Sequence, residues 1–270
     1  MSDLIIDIQG VIFNGDELIN GAKEFIDHLI SEKKHILLVS NSTRLTTKQT
    51  LAKLTSAGIN IPESNVITGE KILINALKHE NVKHILLLGT DELCAEVLAA
   101  GIQVDKSTAL PSSHSELYKL NDKVDAVVVA EDLSYNYAHA SIVARYVLEN
   151  KAKFFCLGFD RIFPGGGKNF IPGALTLSAP AETASYVAPA IIGKPNVDSF
   201  INLIPNHKTT KYVVIGDNTE TDIAFANKLG WKSVLVYSGV TSKSDSVKEE
   251  NKPTLAVDNL SELTTKLATL

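Results

Sequence analysis

Short, nearly unbroken apolar runs recur along this chain, and several stop abruptly at a polar cluster. The runs are Leu4–Ile8, Ile36–Val39, Ile85–Leu88, Ala126–Val129, Phe154–Leu157, Tyr212–Ile215 and Ser233–Tyr237. Amphipathic stretches lie between them, among them Gly21–Ser31, Thr46–Ala57, Leu93–Ala100, Asn136–Glu149 and Thr221–Lys228. A strand that is apolar throughout must be covered on both faces, which parallel sheets with helical crossovers achieve. The pattern predicts an α/β protein. Leu4–Ile6 runs into Asp7-Ile8-Gln9-Gly10, Ile36–Val39 into Ser40-Asn41-Ser42, and Tyr212–Ile215 into Gly216-Asp217-Asn218. Open α/β sheets bind ligands beyond the carboxyl ends of their strands. One such cluster is as well explained by a turn or a helix cap. Several in step predict a shared edge.

With 270 residues the chain is long enough for one large domain or two modest ones. Hydrophobic residues make up 44% and charged residues 21%, enough to bury a sizeable core. Lys and Arg number 26 against 31 Asp and Glu, a net charge of −5 that argues against broad nucleic-acid binding. Cys94 and Cys156 stand far apart and are expected as buried thiols in a reducing compartment. No apolar run reaches the roughly 18–20 residues that cross a bilayer. The start Met1-Ser2-Asp3-Leu4 lacks the basic residues of a secretory signal. The expectation is a cytoplasmic protein with neither a membrane nor a nucleic-acid partner.

The middle third reads differently. From about Val82 to about Ala188 there are three strand-like runs with helices between, and no polar clusters at their ends. This predicts a second α/β unit, residues 82–188, inserted into a first unit made of 1–81 and 189–270. The Pro- and Gly-rich stretch Pro164–Gly173 inside it reads as a long loop. Gly165-Gly166-Gly167-Lys168 resembles part of a phosphate-binding loop, but Ile162 and Asn169 stand where Gly and Ser or Thr are needed. His79-Glu80 with His84 is one residue too wide for the zinc-protease helix pattern. Neither a dinucleotide glycine fingerprint nor a Gly-x-Ser-x-Gly elbow is present.

Four segments match a known pattern when taken in order: Asp7-Ile8-Gln9-Gly10-Val11, Ser40-Asn41-Ser42, Gly193-Lys194-Pro195-Asn196, and Gly216-Asp217-Asn218-Thr219-Glu220-Thr221-Asp222. They resemble the four motifs of the haloacid dehalogenase (HAD) superfamily of phosphatases and phosphotransferases. Phe13-Asn14-Gly15, Ile19-Asn20-Gly21-Ala22 and Ser238-Gly239-Val240-Thr241 further resemble its class IIA branch, the NagD-like and p-nitrophenylphosphatase-like proteins. The resemblance implies a Rossmann-like parallel-sheet core carrying an inserted C2-type cap. It implies Mg²⁺ held by Asp7, Asp217 and the carbonyl of Gln9, with Asp222 acting through water. It also implies a small phosphorylated substrate, Asp7 as nucleophile, Ser40 and the amide of Asn41 on the phosphoryl oxygens, and Lys194 offsetting charge. A homodimer through the cap is admitted by resemblance alone.

The chemistry is coherent. A carboxylate can attack phosphorus and split hydrolysis into two steps. A dianionic phosphate approaches carboxylates only when positive charge neutralises them, which Mg²⁺ and a lysine do. Taken singly, Lys194, Asp222 and Ser40 are each as readily a surface lysine, a first-turn carboxylate and a cap.

Two departures qualify the resemblance. Its first motif is Asp-x-Asp, and the second Asp serves as general acid and base. Gln9 stands there and has no proton to give. The expected consequence is a slow or selective phosphatase; the alternative is a catalytically silent HAD-fold binding or regulatory protein. A receiver-type signalling domain fits less well, for want of an acidic pair near the first strand. In the cap, Asp160 falls where a substrate-facing loop is expected, yet Gly158 replaces the usual Asn. Asp160 reads either as a substrate contact or as a plain loop carboxylate partnering Arg161.

Overall fold

The computed structural model describes residues 3–106, 123–167 and 169–267. Lys168, the last residue of the rejected glycine-loop motif, lies outside them. The chain forms two parallel sheets. The first has six strands in the order Leu255–Val257, Lys232–Val236, Val213–Gly216, Leu4–Asp7, Ile36–Val39, Val66–Ile67. Every pairing in it is parallel. Leu4–Asp7 lies at the centre with all four residues buried, as an apolar strand covered on both faces should.

The register brings the strand ends together. Asp7 pairs with Val39 on one side, and Ile6 pairs with Ile215 on the other. Chain order runs outward from Leu4–Asp7 in one direction first and only later in the other. The first strand therefore marks a topological switch point, where helices on opposite faces leave a crevice. Asp7, Ser40 and Asp217 all stand at its lip.

The helices follow from their sequences. Ala22–Ser31 buries Ala22, Phe25, Ile26 and Leu29, the spacing of one helical face. Thr47–Ser56 begins with a reciprocal capping box: the Thr46 hydroxyl accepts from the Gln49 amide and the Gln49 side chain accepts from the Thr46 amide. Tyr137–Glu149 is capped likewise by Asn136 and His139.

The second sheet has five parallel strands, ordered Ala190–Ile192, Lys153–Leu157, Ala126–Val129, His84–Leu88, Gln103–Lys106. Several expectations change here. Ala190–Ile192 pairs with Lys153–Leu157 in this sheet, so the second unit reaches past residue 188. Too short to show a pattern, this strand is fixed by its neighbours. Pro164–Gly173 is not a plain loop: Ile162–Pro164 and Phe170–Pro172 form an antiparallel hairpin. The middle third also carries polar residues just past its strand ends, Glu131 and Asp160. Thr221–Lys228 is not one helix but a π turn, Thr219–Ile223, followed by the α-helix Ala224–Lys228.

One apolar cluster joins both sheets. It includes Ile5 and Leu37 from the first, Leu87 and Val128 from the second, and Leu73 and Leu77 from the helix Gly69–His79 between them. Phe225, fully buried, stacks on Phe200 at 5.1 Å and meets the edge of Trp231 at 6.0 Å. Both cysteines are buried free thiols, as expected. Among the described residues no helix is long and apolar enough to cross a membrane. Phe225→Ala removes a fully buried ring from this cluster and should destabilise the chain by about 3–5 kcal/mol, read from urea unfolding midpoints.

Candidate active site

At the crevice beside Asp7, a lysine is buried among carboxylates. Lys194 is 2% exposed, Asp222 1%, Asp217 3% and Asp7 7%. The Lys194 ammonium donates to Asp7 Oδ1 and to Asp222 Oδ1, each at 2.6 Å, and to the Val39 carbonyl at 3.1 Å. Its three donors are thus all engaged. Burial alone would lower the Lys194 pKa, but Asp222 and Asp7 outweigh it and hold the ammonium charged, above its ordinary value.

One ammonium cannot balance three acids. Burial, with Asp222 beside it, pushes Asp7 up to about 7 although Lys194 pulls the other way. Asp217 is raised well above the ordinary carboxylate range by burial, then by repulsion from Asp7 and Asp222. The Val240 amide opposes this, donating to Asp217 Oδ2 at 2.7 Å. Asp7, Asp217 and Asp222 each present an oxygen within 4.8 Å of the others. Buried, mutually repelling oxygen ligands with a deficit of positive charge fit a hard divalent cation.

The local backbone makes room for these acids. A methyl on Gly239 would lie 1.9 Å from Asp217 Oδ2, and one on Gly10 would lie 2.1 Å from it. A methyl on Gly216 would meet Asp222 Cβ at 2.2 Å. These glycines stand inside the motifs quoted above, yet their steric duty is visible only when distant segments are assembled. Asp222 itself sits in the wide π turn, a feature frequent at functional sites.

The Asn41 side chain does work that the sequence pattern does not announce. Its side-chain Oδ1 accepts from the Lys194 amide at 2.9 Å, and its Nδ2 donates to the Lys194 carbonyl at 2.9 Å and to Asp160 Oδ2 at 3.2 Å. It therefore fixes the lysine backbone and reaches the second unit. Ser40 lines the cavity, and its hydroxyl accepts from the Ser42 amide at 3.2 Å.

The second unit closes over the strand ends. Asp160 takes Asn41 on one oxygen and Asn218, at 3.3 Å, on the other. Arg161 is not its partner; that guanidinium lies 3.6 Å from Glu220. Burial pushes Asp160 up to about 6. Asn14 donates to the Gly167 carbonyl at 3.0 Å and accepts from the Gly166 amide at 3.2 Å, tying the short antiparallel hairpin of Phe13–Asn14 and Glu17–Leu18 to the second unit's hairpin. The cavity here, about 40 Å³, is lined by Asp7, Gln9, Ser40, Asn41, Asp160, Lys194, Asp217 and Asp222, together with Ser42 and Glu131. Every candidate residue is present. The sequence reading missed Glu131, Asn218 and the role of Ser42. For Glu131 the usable signal was the one applied elsewhere, a polar residue just past a strand end.

A family model for haloacid dehalogenase-like hydrolases matches residues 4–103, and a second, for HAD-hydrolase-like proteins, matches residues 191–263. Together they cover well over half of the chain. The chain belongs to the haloacid dehalogenase-like hydrolases. The ribonucleotide monophosphatase NagD of Escherichia coli K12 is 26% identical over 248 residues, 91% of each chain, so this hydrolase stands with the class IIA members. The hypothetical protein PH1952 of Pyrococcus horikoshii OT3 superposes with a TM-score of 0.81 at 28% identity, covering 99% of this chain and 100% of that one. The glycerol phosphate phosphatase Rv1692 of Mycobacterium tuberculosis, crystallised with magnesium, shares the fold with a TM-score of 0.79 at 23% identity, over 97% of this chain and 76% of that one.

Gly239→Ala drives a methyl into Asp217. It should weaken divalent-cation binding by about 10–100-fold, the range typical for a displaced ligand support, as measured by calorimetric titration of the hydrolase with Mg²⁺.

Proposed function

We propose that this hydrolase is a Mg²⁺-dependent phosphatase acting on a small phosphorylated metabolite, with Asp7 as the nucleophile. The observation that carries the reading is the buried cluster itself: three carboxylates and one lysine around a cavity at the switch point. The phosphatases among its relatives favour the same reaction class.

Asp7, Asp217 and the Gln9 carbonyl would hold the ion, with Asp222 acting through water. When bound, the ion supplies the positive charge that lets a phosphate enter among carboxylates. Lys194 holds one oxygen of Asp7 by hydrogen bond, which aims the other at the cavity. Because its donors are engaged by Asp7, Asp222 and Val39, Lys194 serves the phosphoryl group first as a fixed charge. Attack of Asp7 on phosphorus forms an aspartyl-phosphate and releases the leaving alcohol. Water then frees the phosphate and restores the carboxylate. Ser40 and the backbone amide of Asn41 would donate to the phosphoryl oxygens. The Asn41 side chain keeps Lys194 in place, and Asp160 holds the second unit shut over the crevice as its cap, which excludes water during transfer.

Gln9 lines the cavity, and its buried Oε1 finds no hydrogen-bond partner among the described residues. It can neither protonate a leaving group nor deprotonate water. Gln9 by itself therefore favours leaving groups that need little protonation.

With Mg²⁺, p-nitrophenyl phosphate should be hydrolysed, and chelation should stop it. Asp7→Asn should lower kcat by more than about 10³-fold while leaving the unfolding transition cooperative. A native chain that binds Mg²⁺ but turns over no aryl or alkyl phosphate would instead support a silent binding protein.

A further inference from the structure

The cavity at the carboxylate cluster does not stand alone. Beside it lies a larger one of about 420 Å³, lined by Tyr135, Phe163, Ile171, Pro172 and Leu177 of the second unit and by Arg44 of the first. Two residues line both cavities, Glu131 and Phe163, and of these Glu131 alone can carry a proton. If the phosphoryl group sits at Asp7 and the leaving group in the larger, mostly apolar cavity, the ester oxygen lies at the seam between them. Glu131 stands at that seam. We propose that Glu131 is the general acid and base at the leaving oxygen, the task for which Gln9 has no proton. This rests on the phosphatase reading given above.

The placement is built by the fold. Glu131 follows Ala126–Val129, the middle strand of the second sheet, and reaches the first unit, where the Ser42 hydroxyl donates to Oε2 at 3.4 Å. Charged neighbours face it from two sides: Arg44 beyond the strand Ile36–Val39, and Asp160 from the loop after Lys153–Leu157. Burial, with Asp160 adding to it and Arg44 and Ser42 opposing, pushes Glu131 up to about 7, where one group can both give and take a proton. Asp160 shares the cavity but is less suited. Both of its oxygens already accept N–H donors, from Asn41 and Asn218, which favours its carboxylate form.

The step balances. The bond from Asp7 to phosphorus forms as the bond from phosphorus to the ester oxygen breaks. The electron pair left on that oxygen takes the Glu131 proton, and the alcohol departs. Glu131, now a carboxylate, takes a proton from a water whose oxygen attacks phosphorus. Phosphate and the Asp7 carboxylate are released, and Glu131 is again protonated.

Two aryl phosphates separate this role from a structural one, since p-nitrophenolate leaves readily without a proton and phenolate does not. In the Mg²⁺-loaded chain, Glu131→Gln should lower kcat/KM, which reports only the steps through alcohol release, on phenyl phosphate by about 10²-fold or more but on p-nitrophenyl phosphate by only a few-fold. The fall in kcat/KM for phenyl phosphate above neutral pH should disappear with it. Gln9→Asp added to Glu131→Gln should recover most of the lost turnover by returning a titratable group to the cavity. Equal losses on both substrates, an unchanged pH profile, or no recovery in the double variant would overturn the assignment while leaving the phosphatase reading intact. If the native chain hydrolyses neither compound, the phosphatase reading fails, and the role of Glu131 with it.

Discussion

A buried ammonium shared by two carboxylates sets the terms for the rest of this molecule. Ion pairs taken out of water return their desolvation cost only when the geometry is tight and the remaining hydrogen-bonding capacity is filled. Lys194 meets both conditions, with short contacts to Asp7 and Asp222 and its third donor on a strand carbonyl. Asp217 is left over. Its carboxyl is held far from its ordinary pKa, and a bound cation is the physical remedy. The site is thus incomplete by charge, a deficit that a divalent cation would fill.

Holding that imbalance takes a rigid surround. The lysine backbone is gripped from both sides by the Asn41 amide, and glycines at 10, 216 and 239 let two acids approach the chain more closely than any side chain would permit. The apolar cluster beneath runs without interruption from one sheet into the other. Its burial supplies the stability against which the charged pocket is set.

The second unit shares in the site rather than merely covering it. Asp160 is gripped by asparagines from two separate loops of the first unit, Arg161 lies near Glu220, and Asn14 meets the opposing hairpin turn. In the proposed reaction this unit, through Glu131 and the apolar cavity behind it, also governs which group leaves. Chemistry at phosphorus then belongs to the first sheet and chemistry at the leaving oxygen to the second. That division gives Gln9 a reason: an acid carried by the other unit makes one at residue 9 dispensable.

Much of this could be read from the chain before folding. Apolar runs at Leu4–Ile6 and Ile36–Val39 demand coverage on both faces and so dictate parallel strands. The order of Asp7, Ser40, Lys194 and Asp217 marks the edge where chemistry gathers. Those signals are local, because periodicity and strand-end polarity act over a few residues. What lay beyond them depends on contacts between residues far apart in sequence. Ala190–Ile192 is too short to announce its sheet, and Pro164–Gly173 pairs as a hairpin only because its ends meet. Asn41 turns its side chain to Lys194 and Asp160, each more than a hundred positions away. Glu131 acquires its place, and its perturbed proton, only when the two units close. Burial and neighbouring charge are properties of assembled space, so a pKa, a shared cavity wall or a missing methyl can be decided only by the tertiary structure.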